Sequence, residues 1–209
     1  MAIAKVRARL LRITNRGQQI APCAIACPQT RVVPLGSGAV LVRRVGADEV
    51  DLCKELGEFV REAYVMLPGH IPEPDYEAEL ADVAARAGLP HTEVLAAFDD
   101  GGRPLGCVTY VAGDGSPMLE HTEPDTASFR MLGVDPRAQR SGAGRALVEA
   151  CIDRALADGR ASIVMHTTTW MHGAHRLYEG LGFVRDERSD WTPVPDIHLL
   201  GYRLDLKDR

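Results

Sequence analysis

The sequence predicts a single α/β domain with a mixed, mostly antiparallel sheet flanked by helices. Short β-branched runs alternate with helical periodicities along the chain. A hairpin signal, Asp99-Asp100-Gly101-Gly102, joins two of those runs. A glycine-rich turn, Gly142-Ala143-Gly144, opens a helix directly after a strand. The element order is β-α-α-β-β-β-α-β-α-β-β, with about 6–7 strands in one layer and helices packed on it.

Each element has its own signal. Ala39–Val45 is a β-branched strand. Asp48 is the expected N-cap of a helix through Met66, with Val50, Leu52, Cys53, Leu56, Phe59, Val60 and Ala63 on its buried side. Pro68, Pro72 and Pro74 make Leu67–Asp75 a loop. A second helix, Tyr76–Ala87, ends at Gly88. Strands Val94–Phe98 and Leu105–Val111 flank the hairpin turn, and Ser128–Val134 follows a polar loop. Helix Gly142–Ala157 closes at Gly159, and strand Ser162–His166 follows. A short helix, Gly173–Leu181, stops at Gly182, where strand Gly182–Arg185 begins. A loop, Ser189–Ile197, leads to a last strand, Leu199–Leu206.

The 209 residues, 45% hydrophobic and 25% charged, suffice for one well-buried domain. Charge is distributed unevenly. Residues 1–32 contain Lys5, Arg7, Arg9, Arg12, Arg16 and Arg31 and no acid, a charge of +6, which leaves −11 on the remainder. The reading is a basic, weakly ordered extension over residues 1–35, or a translation start placed too far upstream, ahead of a domain over 36–209. The extension lacks an apolar h-region and a cleavage site, which argues against export. An acidic body disfavours nucleic acid and anionic membranes as partners and suits a cationic acceptor. No run approaches a membrane span. The five cysteines are odd in number. Cys53, Cys107 and Cys151 sit in apolar patterns, whereas Cys23 and Cys27 have no second ligand pair nearby, so a reducing cytoplasm is expected. His166, His172 and His175 cluster in sequence without carboxylates or cysteines at ligand spacing, and no metal is expected.

The chemistry begins after the strand ending at Val134. Gly142 and Gly144 let the backbone approach a ligand, and the free N–H groups of the first helical turn form an anion site. Arg137, Arg140 and Arg145 surround it. A phosphate or pyrophosphate is the natural ligand. A P-loop would need Gly-Lys-Ser/Thr, which is absent. A dinucleotide fingerprint would need a third glycine where Leu147 stands.

The run Gln139-x-x-Gly142-x-Gly144 resembles the Gln/Arg-x-x-Gly-x-Gly/Ala signature of the GNAT acetyltransferase superfamily. Ala174-x-x-Leu177-Tyr178-x-x-x-Gly182-Phe183 resembles that family's second signature. By element order the resemblance covers residues 39–206. Arg140 stands where many members have Gly, and Met171 where many have Asn. The resemblance implies a GNAT-like sheet splayed at an acetyl-CoA site, with acetyl-CoA as co-substrate. It also implies an N-acetyltransferase acting on a primary amine of a small molecule or peptide, by direct attack in a ternary complex. The alternative is a non-catalytic acyl-CoA-binding regulatory module.

Carried over residue by residue, Leu132 and Val134 would offer backbone contacts to the pantetheine arm. Gln139, Arg140, Ser141, Gly142, Ala143 and Gly144 would hold the pyrophosphate. Tyr178 would be the general acid. Glu120, Glu123 and Asp125 precede the strand and could act as base through water, Glu123 being the candidate taken. Tyr64, Tyr76, Asp190 and Trp191 would line the acceptor pocket. A homodimer is a further implication, since family members often pair through strands.

Overall fold

The computed structural model describes residues 30–35, 38–121, 123–195 and 197–207. Most of the basic N-terminal stretch, with Cys23 and Cys27, lies outside the described residues. Nine strands form the sheet: β1 (Thr30–Leu35), β2 (Gly38–Val45), β3 (Thr92–Phe98), β4 (Pro104–Val111), β5 (Thr126–Val134), β6 (Ser162–Thr168), β7 (Val184–Arg185), β8 (Trp191–Val194) and β9 (Ile197–Asp205). The helices are α1 (Val50–Val65), α2 (Pro74–Ala81), α3 (Val83–Ala87), α4 (Ala143–Ala157) and α5 (His172–Glu179). The strands run in the order β1-β2-β3-β4-β5-β6-β9-β7, with β8 paired to β9. Two of the nine lie beyond those expected: β1, inside the stretch read as an extension, and β8, inside the stretch read as a loop.

β3 alternates strictly between two cores. Leu95 and Ala97 face α4 together with Val108, Tyr110 and Phe129, whereas Val94, Ala96 and Phe98 face α1 and α3. A strand covered on both faces reads as a continuous apolar run, which is the pattern of Val94–Phe98. The turn at its far end is closed by Asp99, whose Oδ1 accepts from the N–H groups of Gly101 at 3.0 Å and Arg103 at 2.9 Å.

Two helix expectations change. α1 starts at Val50 with Glu49, not Asp48, at the N-cap, and Val50 is 51% exposed. Glu49 is occupied instead by the strand: its carboxylate accepts from the Gly46 N–H at 3.0 Å and pairs with Arg43 at 2.7 Å. The second helix is two helices, broken at Asp82, whose Oδ1 accepts from the Ala85 N–H at 3.0 Å and so starts α3. Pro74 belongs to α2 as its first residue, where a proline loses no hydrogen bond.

The feature that positions the site is a fork. Among the described residues β5 and β6 are the one parallel pair, and they are registered only at Thr126↔Ser162 and Ala127↔Ile163. Beyond these pairs the strands separate. On its other edge β5 is bulged: its register with β4 shifts between Cys107 and Thr109, and Met131 takes φ +52°. A bulge bends its strand and increases the local twist, which turns the end of β5 away from β6. α1 presses on the same segment. A Cβ on Gly133 would lie 2.6 Å from the Val60 Cα, so only glycine lets the helix lie this close to the strand.

Candidate functional site

Two adjoining structures occupy the fork. The first is a cradle at the start of α4. Asp135, 1% exposed, ends β5 and accepts from the backbone N–H and the Nε of Arg137, each at 2.9 Å. Burial pushes its carboxyl up, but the Arg137 hydrogen bonds outweigh that and hold it below its ordinary value. This locks a tight turn over Pro136–Ala138, closed by the Ser141 N–H donating to the Ala138 carbonyl at 3.2 Å. Arg140 and Gly142 then take φ +65° and +81°, both in the left-handed region.

The turn aims backbone donors outward. The Ala146 N–H donates to the Gly142 carbonyl at 3.0 Å, so those of Gly144 and Arg145, in the first helical turn, have no intrahelical acceptor. The Ala143 N–H leans on Ser141 Oγ at 3.4 Å. Of the three arginines, Arg137 is held by Asp135 and Arg145 by Glu149 at 2.9 Å. Arg140 has no ion pair among the described residues. Arg140 therefore adopts the backbone a glycine would supply and adds a guanidinium at the rim. A Cβ on Gly144 would meet only Leu177 and Val134, at ordinary contact distances of 3.7 and 3.8 Å. Packing does not require glycine there; a ligand approaching the helix start does. The cradle fits a pyrophosphate.

The second structure is a cavity of about 370 Å³ in the mouth of the fork. β5, β6, α1, α2, α5 and β8 all contribute to its lining. Tyr178 stands in its wall, its ring 5.7 Å from Phe129, 5.9 Å from Phe183 and 6.3 Å from Tyr202. Ala174, Leu177, Tyr178 and Leu181 share one face of α5 and its C-terminal turn, and all four pack on the core. Burial raises the Tyr178 phenol well above its ordinary value, which keeps it protonated. Tyr64 and Tyr76 line the cavity edge to face, 6.4 Å between ring centroids, and burial raises both phenols. Trp191 lines it from β8 and meets His166 edge to face at 6.2 Å.

One polar triplet stands in the lining. Glu120 Oε1 is 3.0 Å from Arg130 Nη2, and Glu120 Oε2 is 3.4 Å from His166 Nδ1. The His166 Nε2 lies 2.9 Å from the Ser189 carbonyl, which fixes the ring. Burial pushes the Glu120 carboxyl up, but Arg130 and then His166 more than offset this and hold it below the ordinary range. The cavity thus contains an ionised carboxylate and a protonated phenol.

The structure separates the expected site residues. Leu132 lines the cavity from β5, and Val134 flanks Gly144. Tyr64, Tyr76, Trp191 and Tyr178 are brought together. Glu123 is not: it ion-pairs with Arg203 outside the cavity lining, whereas Glu120 stands in it. Asp190 is also outside. Its carboxylate accepts from Arg185 at 2.6 Å and from the Gly201 N–H at 2.9 Å, which ties the residue before β8 to β7 and β9. Arg130 and His166 were not among the expected site residues, since a polar residue within a strand gives no local sign of what it faces. His166 acquires its neighbours from two loops and β8: Glu120, Ser189 and Trp191. His172 and His175 pack ring to ring at 5.7 Å, and His175 stacks on Tyr202. Among the described residues no group of three or more His, Cys, Asp or Glu could hold a metal ion, and no helix is long and apolar enough to cross a membrane.

Comparison with known proteins matches this arrangement. The model of the acetyltransferase (GNAT) family covers residues 55–183. An uncharacterized N-acetyltransferase of Schizosaccharomyces pombe is 30% identical over 119 residues, which is 57% of this chain and 68% of that protein. A GNAT-family acetyltransferase from Staphylococcus aureus Mu50 shares the fold with a TM-score of 0.62 at 16% identity, over 80% of this chain and 99% of that one. The yncA protein of Salmonella typhimurium, solved with its cofactor acetyl-CoA, aligns with a TM-score of 0.57 at 19% identity, over 81% and 95% of the two chains. The family match spans α1 to the end of α5 and both halves of the fork. This chain belongs to the GNAT acetyltransferase family, whose members use acetyl-CoA.

Proposed function

We propose that this domain is a cytoplasmic N-acetyltransferase that acetylates a primary amine of a small molecule or peptide by direct attack, with both substrates bound. The observation that supports this most is the fork, which sets the anion cradle beside a cavity holding ionised Glu120 and protonated Tyr178. Acetyl-CoA supplies the activated acetyl thioester. The free N–H groups at the start of α4, those of Gly144 and Arg145, with the side chains of Gln139, Arg140 and Ser141, would hold its pyrophosphate, and the edge of β5 facing the fork at Leu132 and Val134 would pair with the pantetheine amides.

Within the cavity the chain's own groups move protons. An amine attacks only when neutral, so the ammonium that arrives must lose a proton. Glu120, kept ionised by Arg130 and His166, accepts it through a water. As the C–N bond forms and the C–S bond breaks, Tyr178 would give its phenolic proton to the leaving sulfur, and the proton shed by the new amide nitrogen would restore the phenol. Burial raises the Tyr178 phenol above its ordinary value, so the transfer would need a developing thiolate raised by the same apolar surroundings, which Phe129 and Phe183 beside the phenol would provide.

Incubation with acetyl-CoA and an amine panel, following free thiol, tests this reading. Amine-dependent thiol release supports it. Acetyl-CoA binding without such release replaces it with the acyl-CoA-binding module.

A further inference from the structure

Glu120 can take a proton but is poorly placed to keep it. Arg130 Nη2 stands 3.0 Å from its Oε1, and a guanidinium at that distance favours the charged carboxylate. A proton drawn from an ammonium therefore needs a further destination, and His166 offers one. Its Nε2 lies 2.9 Å from the Ser189 carbonyl oxygen, which can only accept, so Nε2 carries the hydrogen of the neutral ring. Nδ1 is then a lone pair, and it faces Glu120 Oε2 at 3.4 Å. Two acceptors thus confront each other across a gap that one proton would close, and such contacts tighten when the proton arrives.

We propose that His166 is the final acceptor of the amine's proton, acting through Glu120 and not on the amine itself; this rests on the acetyl-transfer reading above. The step balances. One N–H bond of the ammonium breaks and leaves its electron pair on nitrogen. The proton passes through water to Glu120 and on to His166 Nδ1, giving an imidazolium beside a carboxylate. After product leaves, it returns through Glu120 to solvent. Exposure sets this order: the Glu120 side chain is 18% exposed and that of His166 5%, so the carboxylate meets the cavity and the ring stands behind it. Trp191, edge to face at 6.2 Å, and the Ser189 carbonyl hold the ring in place. The other titratable groups around the pair do not compete for the proton. Arg130 is permanently charged, burial lowers the His121 imidazole, and burial keeps the Tyr64 and Tyr76 phenols protonated.

His166→Gln tests this, since its amide can still donate to the Ser189 carbonyl but cannot take up a proton. With amine and acetyl-CoA saturating, kcat by thiol release is expected to fall at least about tenfold. The acid limb of kcat against pH should also move down by at least about one unit, because an imidazole is ordinarily a stronger base than the carboxylate left behind. Acetyl-CoA affinity should stay within about twofold. An acid limb at the parent's pH overturns the relay and leaves acetyl transfer and Glu120 standing. If the variant does not fold, the nitrogen NMR spectrum of 15N-histidine in the parent decides. Neutral His166 is expected to carry its hydrogen on Nε2 and to gain one on Nδ1 as pH falls; a hydrogen on Nδ1 of the neutral ring overturns the relay. No thiol release from the parent with any amine removes the transfer reading and the relay together.

Discussion

The acyl-donor cradle and the acceptor cavity share the fork between β5 and β6 but are built by different means. The cradle is a continuous stretch from Asp135 to Arg145, and its working atoms are backbone N–H groups aimed by two left-handed residues and a helix start. The cavity takes its working atoms from side chains: Glu120 from a loop, Arg130 from β5, His166 from β6, Tyr178 from α5 and Trp191 from β8. A backbone site tolerates side-chain change as long as the turn survives, which is why Arg140 can replace a glycine. A side-chain site tolerates change only where another element supplies the lost group. The cradle is thus the general part of the molecule and the cavity the particular part.

Substitutions that strike one structure and spare the other test this contrast. The largest effect is expected in the cavity: Glu120→Gln should lower kcat by about a hundredfold, with Glu123→Gln within about twofold of the parent, both read by steady-state thiol release. Similar losses in the two variants would return the base to Glu123. Tyr178→Phe should lower kcat at least about tenfold while acetyl-CoA binding holds; unchanged turnover would discard the phenol as acid.

In the cradle, Gly144→Ala should raise KM for acetyl-CoA about fivefold while gaining about 1 kcal/mol of stability from helix propensity, since a Cβ there has room in the free protein. A lowered Tm would show that packing, not ligand approach, selects this glycine. Outside both structures, Asp186 caps the turn before β8. Hydrogen bonds from Arg188, and then from Arg203 and Ser189, hold its carboxyl far below the ordinary range. A depressed carboxylate stabilises above its unfolded value, about pH 4, and that contribution fades as pH falls below it. Asp186→Asn should therefore cost about 2 kcal/mol at pH 7, with the gap narrowing below pH 4 in urea melts. A gap independent of pH would make the loss one of shape. The smallest effect belongs to Arg140→Gly. Relief of the left-handed strain, offset by glycine's chain entropy, should change stability by less than about 1 kcal/mol, while a modest rise in KM for acetyl-CoA reports the lost guanidinium.

Much of this contrast is visible in the sequence. The Gln139–Gly144 turn and the Ala174–Phe183 helix were legible because each is local, and their spacing alone places them on a helix start and a helix face. The seven strands found by β-branched alternation are all present. β8 escaped notice because Pro193 and its polar neighbours read as a loop, and only pairing with β9 makes it a strand. The break at Asp82 was hidden by a helical periodicity that continues through it. Glu120 and Glu123 could not be ranked, being three residues apart in one polar loop. The choice depends on Arg130 and Arg203, which claim one acid each from different strands.

By itself the sequence determined seven strands and their order, the anion-binding helix start and the placement of a tyrosine downstream on a helical face. These follow from periodicity, glycine and helix-end hydrogen bonding, all of which act over a few residues. Only the tertiary structure decided that Glu120 and not Glu123 lines the cavity, that Asp190 ties strands together, and that Arg130, His166 and Trp191 line the same cavity. Those facts arise where β5, bent by its bulge at Met131, parts from β6. The residues that meet in that opening are far apart in the chain, and only packing brings them within hydrogen-bonding distance.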